Sequence, residues 1–174
     1  PPRNRAWRKL HLAVDAETGQ IVASELTRHR TRDSTPVPAL LEQNDNPVAS
    51  IHADGAYDRK SVYEAAQREG NGDAVRMLIP PARDARLRAA PSRALKERNR
   101  NVRSMRTLGR RQWHKQSGYS QRSMVENTIY RYKTILGGNM RSRGMEGQRI
   151  EVQLGCKILN QMALFGMPDS YKLP

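Results

Sequence analysis

The chain has 174 residues, with 31 Lys plus Arg against 17 Asp plus Glu, a net charge of +14 and a sequence pI near 10.7. That length allows one domain with a real core but not comfortably two, and no apolar run approaches the roughly 18 residues that a membrane-spanning helix needs. A balance this basic points to a polyanionic partner, nucleic acid being the commonest, and says nothing about fold.

The opening Pro1-Pro2-Arg3-Asn4-Arg5-Ala6-Trp7 has neither an initiator Met nor the apolar core of a signal peptide, and reads as an entry into the middle of something. Lys9 to Asp15 and Ile21 to Thr27 alternate and are β-rich, and Ala16 to Gln20 between them offers Gly19 for a positive φ, so a β-hairpin is expected. His11 falls within the first strand's alternation and is expected as a packed or edge histidine rather than a ligand. Asp33-Ser34 ahead of Pro36 predicts a helix start with Asp33 as its cap. Val48 to Ala53 reads as a short buried strand ending at Asp54-Gly55-Ala56-Tyr57-Asp58. A helix is expected over 59–68 with Val62, Tyr63 and Ala66 on its apolar side, a break at Gly70-Asn71-Gly72-Asp73, and a strand over 74–79 stopped by Pro80-Pro81. Strand, helix, strand is a parallel crossover unit; joined to the hairpin it predicts a mixed α/β sheet in a single domain over 1–174.

The section 80–118 changes character. From Pro80 to Lys115 there are twelve Lys or Arg and two acids, a net of +10, and Leu95, Val102, Met105 and Leu108 recur at helical spacing. This predicts a basic helix over 92–108, then a loop holding Gly109, Trp113 and Gly118, with like charges that need a polyanion to neutralise them; the plainer reading is a solvated basic helix. Arg110 and Arg111 are candidate DNA contacts here, and His114 has no partner at metal spacing. Gly137-Gly138 ends the following helix, and Arg141-Ser142-Arg143-Gly144 forms a basic turn. Ile150, Leu154, Ile158, Met162 and Phe165 mark the apolar stripe of a final helix stopped by Gly166 and Pro168. The lone Cys156 lies in that helix and is expected as a buried thiol in a reducing cytosol.

Between these lies Tyr119 to Lys133. Tyr119, Arg122, Glu126 and Lys133 stand at intervals of three, four and seven; at about 100° per residue they and Tyr130 share an arc of roughly 80° on a helix. Val125, Ile129 and Leu136 flank that polar stripe, so a carboxylate sits among cations and phenols beside a core-seeking face. Ordinary charge pairing on a solvated helix edge is the bland alternative. Asp54 ends a strand at a Gly, the kind of loop where sites assemble in α/β sheets. Asp54 and Glu126 together supply the oxygen ligands that Mg²⁺ or Mn²⁺ takes, and such ions can stabilise both oxygens of a phosphoryl displacement.

The spacing Tyr119-x2-Arg122-x3-Glu126-x6-Lys133 resembles the signature around the last acid of bacterial insertion-sequence transposases, DDE enzymes of the insertion-sequence four and five groups. Trp7 to Asp15, Ala53 to Asp58, Ile79-Pro80-Pro81 and Gly166 to Tyr171 are similar to the same proteins. The resemblance implies an RNase H-like fold and metal-dependent strand cleavage and transfer on double-stranded DNA at transposon ends by an oligomeric, cytoplasmic, nucleoid-associated enzyme. It makes Asp54 the second acid and Glu126 the third, with Tyr119, Arg122 and Lys133 in supporting positions: Arg122 and Lys133 on phosphates, Tyr119 packing or stacking. The family's first acid belongs to a strand upstream of the hairpin that this sequence does not show; Asp15 opens a turn, where Asp is common for local reasons. The expectation is therefore a sheet lacking an interior strand and a chain silent by itself. A non-catalytic DNA-binding protein, an RNA-binding or ribosome-associated protein, and a hydrolytic nuclease of the same fold are the alternatives.

Overall fold

In the computed structural model, which describes residues 7–70, 74–89 and 91–166, the hairpin is formed by β1 (Arg8–Val14) and β2 (Ile21–Arg28), antiparallel with Leu12 opposite Ser24 and a bulge near Val14. Its turn is held by Asp15, whose carboxylate accepts from the Glu17 and Thr18 N–H groups and the Thr18 hydroxyl, while Gly19 takes φ 70°. Those bonds lower the Asp15 carboxyl from its ordinary value, the Thr18 N–H foremost, and give Asp15 the local role expected of a turn residue. His11 is buried and shares a 2.8 Å hydrogen bond with the Thr27 hydroxyl, as a packed strand histidine should.

Helix α1 (Val37–Glu42) has Pro36, not Asp33, at its cap; Asp33 instead pairs with Lys9 at 2.8 Å. The charge partner on β1 outbids the cap position, and the helix starts later than expected. The second strand pair is β3 (Ser50–His52) with β4 (Arg76–Leu78), parallel and joined through α2 (Lys60–Glu69), so the crossover unit stands. Both strands are shorter than the sequence predicts, and β3 is half-exposed rather than buried. Part of the expected break after Gly70, residues 71–73, lies outside the described residues, as does Pro168.

The expected single mixed sheet is not continuous. β1–β2 and β3–β4 are separate two-stranded sheets. The class is mixed α/β, with small sheets and helices. Each pair has its own core: Val62, Tyr63, Ala66, Met77 and Ile79 under α2, and Leu12, Ile21, Leu26, Val152, Cys156 and Leu159 under the last helix.

Ser92 caps α3 (Arg93–Ser117) by accepting from the Leu95 N–H, and the helix runs past its predicted end. Gly109, at φ 73° and ψ 156°, kinks it rather than ending it, in backbone territory that belongs essentially to glycine. Trp113, expected in a loop, is buried in the segment beyond the kink. A 3₁₀ turn, Tyr119–Arg122, leads into α4 (Ser123–Ile135), and α5 (Met145–Leu164) closes the described chain. Among the described residues no helix is long and apolar enough to cross a membrane.

The stripe expected to bury α5 does not. Ile150, Leu154, Ile158 and Phe165 are 57, 55, 48 and 80 % exposed, whereas Val152, Gly155, Cys156 and Leu159 are buried. Small residues decide this. A Cβ at Gly155 would stand 2.8 Å from the Tyr132 ring, so only glycine lets α4 approach α5 on that side.

Candidate active site

The end of β3 passes directly into Asp54, which caps the 3₁₀ turn Gly55–Tyr57 by accepting from the Ala56 N–H at 2.8 Å. The loop's far end is clamped from below. Asp58 receives a two-pronged ion pair from Arg98 of α3, at 2.9 and 3.0 Å, with both side chains less than 10 % exposed; Arg98 also donates to the Arg86 carbonyl. A buried, bidentate pair of this kind fixes geometry because either partner alone would be a stranded charge. The loop therefore stands on the basic helix, with Asp54 exposed at its upper end.

The turn before α4 approaches the same place. Tyr119 is buried against Leu78 of β4 and Trp113, and its ring lies 4.5 Å from that of His114. It belongs to the 3₁₀ turn, so the continuous helical arc predicted from Tyr119 to Lys133 begins at Ser123 instead. Burial foremost raises the Tyr119 hydroxyl above its ordinary value. The Asp54 and Glu126 carboxylates push it the same way, against Arg122 and Arg110. The Arg122 guanidinium is likewise raised, first by its hydrogen bond to Glu126 and also by the Asp54 charge. The two acids, Tyr119, Arg122 and Arg110 thus share one electrostatic neighbourhood.

Arg122 donates to Glu126 at 2.5 Å across one helical turn, on a half-exposed surface. Lys133 stands two turns on and lines a groove with Lys9, Asp33 and Tyr57. The Tyr57 hydroxyl is pushed up to about 12 by burial and by the Asp33 and Asp54 charges, which ties this groove to the loop. Of α3's cations, Lys96, Arg100, Arg103, Arg106, Arg110, Arg111 and Lys115 are exposed while Arg98 turns inward.

Among the described residues no three acidic, His or Cys side chains form a group that could hold a metal ion. Asp54 and Glu126 nevertheless have the right chemistry for a hard divalent cation, which is commonly bound by one or two carboxylates plus waters and substrate phosphates. The donor set fits such an ion only in part, since one Glu126 oxygen is engaged by Arg122.

The Arg98–Asp58 clamp escaped sequence reading. Arg98 is one cation in a dense basic run, and nothing in the spacing marks it as the one that faces inward. The signal available was Asp58 itself, an acid held four positions beyond Asp54 in a loop otherwise free of charge.

Residues 2–161 match a family model described as a transposase DDE domain. No solved structure matches the chain.

Proposed function

The chain belongs to the family of transposase DDE domains, and from that premise we propose that it takes part in phosphodiester cleavage and strand transfer on double-stranded DNA at insertion-sequence ends. In this reading Asp54 and Glu126 are the catalytic carboxylates that hold Mg²⁺ or Mn²⁺, and the ion supplies positive charge to the reacting phosphate oxygens when bound. Arg122 neutralises Glu126 until a phosphate takes over the guanidinium, which leaves the carboxylate free as a ligand. Tyr119, buried on Trp113, holds the turn that delivers both residues. Lys133, Arg110 and Arg111 are phosphate contacts. The exposed cations of α3 form the approach for the duplex, an electrostatic term that carries no sequence information.

The assignment extends to an RNase H-like arrangement of the strands, to the insertion-sequence four and five groups, and to an oligomer at work in the cytoplasm on the nucleoid. Among the described residues no third acid, His or Cys groups with Asp54 and Glu126, and in this reading the 174 residues alone are expected to be catalytically silent. The observation that carries the reading is that Tyr119 packs on Leu78 of β4, the strand paired with the β3 that leads into Asp54, while Arg122 of the same turn bonds Glu126.

The test is binding of a fluorescent DNA duplex with and without Mn²⁺. The expected result is tighter binding with Mn²⁺ in the parent and loss of that gain in both Asp54→Asn and Glu126→Gln. Binding that is tight, metal-independent and unchanged in both variants would instead identify a non-catalytic basic DNA-binding protein.

A further inference from the structure

Helix α3 changes its task at the kink. Before Gly109 its inward face carries the buried Ala94, Leu95 and Val102. Beyond it, an arm over 110–117 turns Trp113 inward and leaves Arg110, Arg111 and Lys115 outside. A Cβ at Gly109 would meet nothing within 4 Å, so it is the backbone at φ 73° and not the space that asks for glycine. The arm ends at Gly118, left-handed at φ 74°, and the chain passes straight into Tyr119. Two glycines thus bracket the arm and fold Trp113 and His114 back onto the residue that follows it.

Three rings meet there. The Tyr119 ring lies 5.5 Å from that of Trp113 and 4.5 Å from that of His114, and the Trp113 and His114 rings stand edge to face at 5.5 Å. These are separations at which aromatic pairs attract, and Leu78 of β4 closes the cluster from the sheet side. The His114 Nε2 atom is buried without a hydrogen-bond partner among the described residues. What His114 gives Tyr119 through that side is therefore a ring surface rather than a polar bond. Burial foremost, then the Arg110 and Arg122 charges, lowers its pKa from the ordinary 6.5 and keeps the ring neutral.

The Arg122 guanidinium lies over the same Tyr119 ring, 5.6 Å from its centroid and within cation–π range. Its other hold is the exposed Glu126 carboxylate, a surface pair of the kind that fixes geometry weakly. Arg122 thus has an inner hold on a buried ring and an outer hold open to exchange. A DNA phosphate arriving from solvent can replace Glu126 while the guanidinium stays on the ring.

We infer that Trp113 and His114 are positioning residues of the candidate site: their rings fix the Tyr119 ring, and through it the place where Arg122 passes from Glu126 to a DNA phosphate. Both lie outside the spacing that joins Tyr119, Arg122, Glu126 and Lys133. The inference rests on the reaction proposed above for the phosphate, but the stack beneath Arg122 does not.

The Arg122 Nε–H resonance in NMR spectra of the 174-residue protein, assigned by its loss in Arg122→Lys, tests it. A ring beneath the guanidinium shifts that resonance upfield of an exposed arginine such as Arg111. His114→Leu fills the space without a ring and is expected to remove most of the shift at an unchanged thermal midpoint, whereas His114→Phe keeps it. Trp113→Leu and Trp113→Phe repeat the comparison at the buried position. In duplex binding, His114→Leu should lose the greater part of the gain from Mn²⁺ and His114→Phe should retain it. An Arg122 signal unmoved by His114→Leu, or moved equally by Leu and Phe, overturns the inference, since the rings are then plain core. A parent whose DNA binding gains nothing from Mn²⁺ counts against the reaction, while the Arg122 signal still decides the stack.

Discussion

The β3–β4 half and the β1–β2 half are built from similar parts, a strand pair and a helix lying on it, yet they differ in how much of themselves they cover. In the first, α2 and α3 enclose Tyr63, Met77 and Ile79 completely, with the Arg98–Asp58 pair and Asn101 hydrogen-bonded inside. In the second, α5 buries one face on β2 and leaves its aliphatic stripe beside an open groove. The turn and helix from Tyr119 to Ile135 join them, with Tyr119 seated on Leu78 and Val125 and Ile129 on the hairpin core. The lesson is that stability and incompleteness are sorted into different halves, and the candidate active site sits at the seam.

Breaking the closed half should cost most. Arg98→Ala strands the Asp58 carboxylate in a buried position and is expected to lower unfolding free energy by about 3–5 kcal/mol, read from urea denaturation, while replacing both partners by apolar residues costs much less. The two faces of α5 sharpen the contrast next. Leu159→Ala removes a side chain that is 2 % exposed and should cost about 2–5 kcal/mol, whereas Leu154→Ala, at 55 % exposure, should stay within about 0.5 kcal/mol. Gly155→Ala drives a methyl group into Tyr132 and Leu136 and is expected to cost about 1–3 kcal/mol by the same assay.

The smallest effect is a pH dependence. Burial foremost lowers the His11 pKa below its ordinary 6.5, so the folded state holds the ring neutral. Its contribution is present above pH 6.5 and is lost as pH falls from there through the lower folded value. A His11→Gln variant should therefore show a shallower decline in stability than the parent on acidification through that window.

Much of this organisation is legible in the sequence because it is local. The hairpin follows from alternation and a turn with Asp15 and Gly19, and the crossover unit from two apolar runs around a helix. Asp54 and Glu126 were marked by a strand end and by a spacing. What is not legible is set by partners distant in sequence. Asp33 is drawn from its cap position by Lys9, and Arg98 is chosen from a dozen cations by Asp58. The orientation of α5 is decided by the absence of a side chain at Gly155, although the larger stripe at 150, 154 and 158 dominates its periodicity.

Hydrogen exchange at single amides measures the contrast most directly. The closed half predicts slow exchange at the Tyr63 and Met77 N–H groups, and the open half faster exchange at the His11 and Ala13 N–H groups that bond across to β2, in the same molecule. Equal protection in the two halves, or faster exchange at Tyr63 and Met77 than at His11 and Ala13, would contradict the account.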